Sequence, residues 1–254
     1  MNSNFMAASA IALLATSFAA NADVRVSTGI EYSSGKYGGD ETIEDVYVPF
    51  TLKFTGSRLG ASITVPYLNV RAPAGTINGP DGQPLPGTGE VTNESGLGDV
   101  TANITLFDVY YNPDLAFALD ITGAIKFGTA DLDKGLGTGE NDVSLYLDAY
   151  KWFDDFTLLG SLGYRWRGEP ADVEFDDVLI ASLGGAWHTR NESIIGVMFD
   201  YRQSALADAD DIQEVTAFGS IRMSKHWQLE IYAFTGFTDS SADWGGGLSI
   251  TGSV

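Results

Sequence analysis

Residues 23–32 read DVRVSTGIEY, and their side chains alternate in character throughout. Val24, Val26, Thr28, Ile30 and Tyr32 fall on one side; Asp23, Arg25, Ser27, Gly29 and Glu31 fall on the other. A period of two places successive side chains on opposite faces of an extended strand. A helix would need an apolar stripe at i, i+3 and i+4, which this stretch lacks.

The alternation continues along the chain. Val46, Val48, Phe50, Leu52 and Phe54 face one way, with Asp45, Tyr47, Thr51 and Lys53 facing the other. Leu59 to Tyr67, Val100 to Leu106, Leu115 to Phe127 and Val143 to Ala149 repeat it. So do Phe156 to Trp166, Leu179 to Trp187, Ile195 to Tyr201, Val215 to Met223, Trp227 to Phe237 and Trp244 to Val254. Twelve strands result, many with the roughly 9–11 residues that a tilted transmembrane strand needs. Pro49 and Pro66 fall inside two of them and are expected to mark bulges.

Connection lengths alternate as well. Thr55–Ser57, Asp108–Asp114, Lys151–Asp155, His188–Glu192 and Ser224–His226 are short. Gly35–Glu44, Ala72–Gly96, Gly128–Glu140, Gly168–Asp177, Ser204–Asp211 and Thr238–Asp243 are long. Short turns at one end and long loops at the other describe an all-β, up-and-down antiparallel transmembrane barrel of twelve strands. The Gly- and Pro-rich connection Ala72–Gly96 either folds inward as a constriction or reaches outward to partners. Trp152, Phe153, Phe156, Trp166, Trp187, Trp227 and Trp244 bunch near strand ends, as interfacial girdles do.

Residues 1–22 contain no charged side chain and run through an apolar stretch to Ala20-Asn21-Ala22. That pattern predicts a signal peptide cleaved before Asp23, leaving the barrel as 23–254. The expected location is the bacterial outer membrane. The net charge is −20, which excludes a phosphate-neutralising nucleic-acid binder. Most of that charge lies in the long connections. It serves solvation or, through divalent cations, contact with lipopolysaccharide phosphates.

Zero Cys and two His exclude disulfides, thiolate chemistry and a His-rich metal centre. His188 and His226 fall at short turns beside Trp187 and Trp227, away from the rim where a barrel hydrolase would want a base. The acidic doublets Asp154-Asp155, Asp176-Asp177 and Asp210-Asp211 point apart or into solvent. Gly135-Leu136-Gly137-Thr138-Gly139 lacks the Lys-Ser/Thr of a phosphate loop, since Glu140-Asn141 follows it. Asp131 and Asp133 begin like a calcium loop, but Leu136 stands where a Gly is needed. No catalytic residue, cofactor or metal is expected.

The polar face is the informative one. Asp45, Lys53 and Arg71 come from its first part, with Asp99, Asp120, Lys126, Asp142 and Asp148 following. Arg165, Arg167, Asp200, Arg202, Glu214, Arg222 and Glu230 complete the expected lumen lining. Charges of both signs either pair across strands and fill the lumen or line a narrow aqueous path. Twelve strands lie between filled eight-stranded barrels and open 16-stranded porins.

Several stretches carry a family resemblance. They are Tyr47-Val48-Pro49-Phe50-Thr51-Leu52-Lys53-Phe54, Thr64-Val65-Pro66-Tyr67-Leu68 and Glu94-Ser95-Gly96-Leu97-Gly98-Asp99. Asp133-Lys134-Gly135-Leu136-Gly137-Thr138-Gly139 and Asp243-Trp244-Gly245-Gly246-Gly247-Leu248-Ser249 follow. Each is short and Gly-rich; their order and spacing carry the likeness. Together they resemble the bacterial outer-membrane barrels grouped as the MetA-pathway of phenol degradation. The resemblance implies passage of small organic solutes and insertion by the barrel-assembly machinery, and it brings no catalytic residues. Such barrels commonly end in an aromatic residue; this chain ends in Val254. The expected function is a passive outer-membrane channel or transporter for small solutes, hydrophobic or aromatic ones included. The alternative is a non-conducting structural or surface-interaction barrel.

Overall fold

The computed structural model describes residues 23–78, 83–168, 175–189 and 193–253. The expected signal peptide, 1–22, lies outside them, as does Val254. The strands are β1 (Asp23–Gly35), β2 (Ile43–Thr55), β3 (Leu59–Pro73), β4 (Val91–Leu97), β5 (Val100–Asn112), β6 (Phe117–Phe127) and β7 (Asp142–Phe153). They continue as β8 (Phe156–Trp166), β9 (Val178–His188), β10 (Ile194–Arg202), β11 (Ile212–Arg222), β12 (Trp227–Gly236) and β13 (Trp244–Ser253). Neighbours pair antiparallel, and β1 joins both β2 and β13, so the sheet closes on itself.

β4 and β5 are two halves of one stave, which makes twelve staves in all. Tyr67–Pro73 of β3 pairs with β4, and Leu59–Thr64 pairs with β5. Between the halves, Val65 and Pro66 face three residues, Gly98, Asp99 and Val100. The Gly98 amide donates to the Pro66 carbonyl at 3.0 Å. The extra residue is therefore on the strand opposite Pro66. Pro49 makes no bulge, contrary to the sequence expectation. It sits directly opposite Pro66, and the register runs through it unshifted on both sides. Proline removes a ladder donor, and here the sheet drops the bond without adding a residue.

Two expected connections are also revised. The strand expected to end before Asp108 continues to Asn112, with a register shift between Leu106 and Tyr110. Asp108 adopts a φ of 52°, and its amide donates to Asp120 Oδ1 at 2.8 Å. The connection Ala72–Gly96 is shorter than expected, because β3 runs to Pro73 and β4 begins at Val91.

The alternation sorts the two faces. Phe50, Leu52, Ile104, Leu183 and Ile195 stand exposed on the outer wall, where lipid replaces water. Thr64, Thr157, Thr216 and many charged groups are buried inside. Inward aromatic rings lie across glycines of the neighbouring strand. Tyr146 is the cross-strand partner of Gly163, and a Cβ there would meet its ring at 2.2 Å. Phe218 over Gly196 and Phe234 over Gly245 repeat the arrangement, with gaps of 2.4 and 2.2 Å. Only glycine leaves room for this ring-on-backbone contact.

Candidate functional site

A cavity of about 190 Å³ lies inside the barrel. Its wall runs from Arg25, Lys53 and Thr251, near the short-turn end, to Glu31, Tyr47, Tyr146 and Asp200 at mid-height. Asp148 and Glu230 also line it. Small polar residues hold these carboxylates in place. Asp148 accepts from Ser161 Oγ at 2.6 Å and Thr122 Oγ1 at 3.4 Å. Asp200 accepts from Ser182 Oγ at 2.6 Å. Glu230 accepts from Gln228 Nε2 at 3.1 Å and Ser249 Oγ at 3.2 Å. Tyr232 donates its hydroxyl to Glu31.

Above the cavity lies a belt of opposite charges. Lys126 Nζ is 2.7 Å from Asp99 Oδ2 and 3.5 Å from Asp142 Oδ2. It also donates to the Glu140 carbonyl at 2.9 Å. Arg167 Nη1 lies 3.9 Å from Asp142 Oδ2, and Arg202 Nη2 lies 3.6 Å from Glu214 Oε2. Arg165 donates through Nε to Ser144 Oγ at 2.8 Å and through Nη2 to the Tyr146 hydroxyl at 2.7 Å. Charges this deep survive because they are paired and hydrogen-bonded.

The described parts of the connection between β3 and β4 reach across the long-loop end. Its arms bridge at Ile77 and Leu85, and Thr76 Oγ1 accepts the Gly87 amide at 2.9 Å. Leu85 packs on Tyr146, Val178, Ile180 and Ala205, on the far side of the lumen from β3. Gln83 Nε2 reaches Ser204 Oγ at 3.4 Å, and the Asn78 amide donates to the Gly135 carbonyl at 2.7 Å. Of the two directions open from sequence, the inward one is taken. Residues 79–82 lie outside the described residues. In the β1–β2 loop, Tyr37 lies beside this cap, packed on the cluster around Ile43 and Leu136. Burial pushes its hydroxyl well above the usual tyrosine range, and a hydrogen bond with Ser33 offsets part of that.

The expected lumen residues therefore separate into groups. Lys53, Asp148, Asp200 and Glu230 border the cavity. Asp45, Asp99, Lys126, Asp142, Arg165, Arg167, Arg202 and Glu214 lie at or near the belt's level, most of them buried. Asp120 is buried behind the β5 irregularity. Arg71 and Arg222 are exposed instead. Arg71 is in phase with outward-facing Tyr67, not with buried Leu68 and Val70, and pairs with Glu44 at 2.9 Å. Arg222 is the last residue of β11, at the short-turn rim. The expected set omits Arg25 and Glu31, which also border the cavity. The alternation of residues 23–32 already puts both on the polar face.

Neither histidine borders the cavity. His188 Nε2 is 2.8 Å from Thr157 Oγ1, and exposed His226 is 3.2 Å from Ser253 Oγ.

Comparisons agree with this architecture. An outer-membrane channel from Pseudomonas putida F1 superposes with a TM-score of 0.72 at 14% identity, covering 94% of this chain and 97% of that one. The KdgM porin gives 0.55 at 10% identity, over 91% and 99%. The translocator domain of the autotransporter NalP from Neisseria meningitidis gives 0.50 at 10%, over 98% and 94%. At these identities the likeness is one of fold. No curated protein matches the sequence. A family model does match, over residues 15–252, and the chain belongs to that family, whose description reads "Putative MetA-pathway of phenol degradation".

Proposed function

We propose that the chain is exported, cleaved before Asp23, and inserted in the bacterial outer membrane as a narrow passive channel for small organic solutes, aromatic ones among them. The observation that carries this reading is the internal cavity of about 190 Å³, bordered by charged and hydroxyl groups set among apolar and aromatic ones, and not filled by side chains. A barrel needed only as a wall would fill that volume, because close-packed interiors leave few voids larger than a water molecule. The family membership and the fold shared with outer-membrane channels support the same reading.

The belt and the inward connection set the resistance of the path. They also favour a second reading, a non-conducting barrel whose acidic loops are its working surface. Conductance separates the two. The refolded barrel in a planar bilayer is expected to show small discrete steps. The sequence has no Cys, so a Gln83→Cys/Ser204→Cys pair forms the sole disulfide. Oxidation of that pair should lower the conductance, and reduction should restore it. A well-folded barrel that shows no step in either redox state overturns the channel reading.

A further inference from the structure

Resting on the channel reading, we propose that the mid-barrel cavity is a binding site for small single-ring organic cations, an arylalkyl ammonium rather than a neutral or anionic aromatic. Size comes first. An apolar cavity of about 150 Å³ takes up benzene. At about 190 Å³ this cavity admits one ring with a short side group.

The walls come next. Tyr47, Tyr146, Tyr150 and Tyr232 border the space together with Met198 and Leu159. Aromatic faces attract cations as well as apolar bodies. The sign of the charge is set by the lining, which among the described residues carries Glu31, Asp148, Asp200 and Glu230 against Arg25 and Lys53. The two bases sit together near the short-turn end, where they are cross-strand partners, and Arg25 is already paired with Asp23 at 2.6 Å. The carboxylates of Asp148 and Asp200 are oriented by the hydroxyls of Ser161, Thr122 and Ser182, which fix their direction without cancelling their charge.

A further observation concerns the wall itself. Asp148 stands directly across from Asp120 in the β6–β7 ladder. Like charges directly opposite each other destabilise a sheet, and an incoming cation relieves that repulsion. Among the described residues no group of three or more acidic or histidine side chains is arranged to hold a metal ion. An organic ammonium, which needs one carboxylate and an aromatic face, fits the lining better.

The test uses the refolded barrel and three probes of similar size: benzylammonium, benzyl alcohol and benzoate. Binding is measured by calorimetry in detergent, and block of single-channel current in bilayers. Benzylammonium should bind saturably at one site, about tenfold or more tighter than benzyl alcohol, as a charge-assisted contact predicts. Benzoate should not bind. Asp148→Asn and Asp200→Asn, each nearly isosteric, should each cut benzylammonium affinity several-fold while the alcohol's is unchanged. Equal affinity for cation and alcohol in the wild type overturns the proposal, whatever the variants do. A barrel that conducts without discriminating refutes the site alone. One that binds the cation but never conducts refutes the channel reading alone.

Discussion

The two levels of the lumen use the same residue types to opposite ends. In the belt, charges meet their opposites: Lys126 stands across from Asp142 in the β6–β7 ladder and touches Asp99 as well. Nearer the short-turn end of that same ladder, Asp120 stands across from Asp148, and on the other side of the barrel Arg25 stands across from Lys53. Where signs match across the strands, the groups turn elsewhere: Asp148 to the hydroxyls of Ser161 and Thr122, Asp120 to the Asp108 amide and Arg25 to Asp23. Where signs oppose, they close on each other, and space is lost. Along the β6–β7 ladder, the sign of the partner across it, rather than how polar the face is, separates the two levels.

The largest effect should come from opening the belt. Lys126→Ala takes the cation from Asp99 and leaves Asp142 with the longer contact to Arg167. Loss of one member of a buried pair costs about 3–5 kcal/mol. Urea unfolding in lipid vesicles should show it, and a cost below 1 kcal/mol would mean that water already screens this level. The next effect belongs to the wall. Gly163→Ala drives a methyl into the Tyr146 ring, and overpacking of this kind costs about 1–3 kcal/mol. The double variant Gly163→Ala/Tyr146→Ala should recover part of that loss, whereas simple addition of the two costs would show that the ring and the glycine are independent.

Smaller again is the cap. Gln83→Ala removes one long hydrogen bond at the mouth and should cost about 0.5–1.5 kcal/mol or less. Its clearer signature should be noisier single-channel current, since the mouth connection loses a tether. Arg222→Ala, at the exposed rim, should stay within about 0.5 kcal/mol. A large effect there would mean that interactions at this exposed rim are worth more than surface ones ordinarily are.

Much of this comparison is legible in the amino-acid sequence. The run from Asp23 to Tyr32 sorts outward from inward residues by parity alone, and parity holds wherever a strand is unbroken. It misleads where the ladder gains or loses a residue. Asp108 sits in such an irregularity, and its polar side chain reads as the start of a turn. Pro66 signals an irregularity correctly, but the extra residue belongs to the opposite strand, which no local pattern reveals. Arg71 shares the outward parity of Tyr67, but a charge on a polar stretch reads as lumen lining, and here phase decides over charge. The belt and the cap were beyond reach for a different reason. They depend on which residues face each other across a ladder or across the mouth, and Leu85 meets the cluster around Val178 and Ile180 only after the barrel has closed.

The rings laid over glycines have a consequence for assembly. Tyr146 on Gly163, Phe218 on Gly196 and Phe234 on Gly245 work as keys cut for particular slots. A two-residue slip of one strand along its neighbour would keep every apolar side chain facing lipid and would restore the backbone ladder. Hydropathy alone therefore cannot reject it. The slip would, however, slide Tyr146 off Gly163 and onto Ser161 or Arg165, and Phe218 off Gly196 and onto Ile194 or Met198, side chains that leave a ring no room. The chain thus carries a second alignment code on its inner wall, independent of the lipid-facing one, and it is read at the moment each strand joins the next.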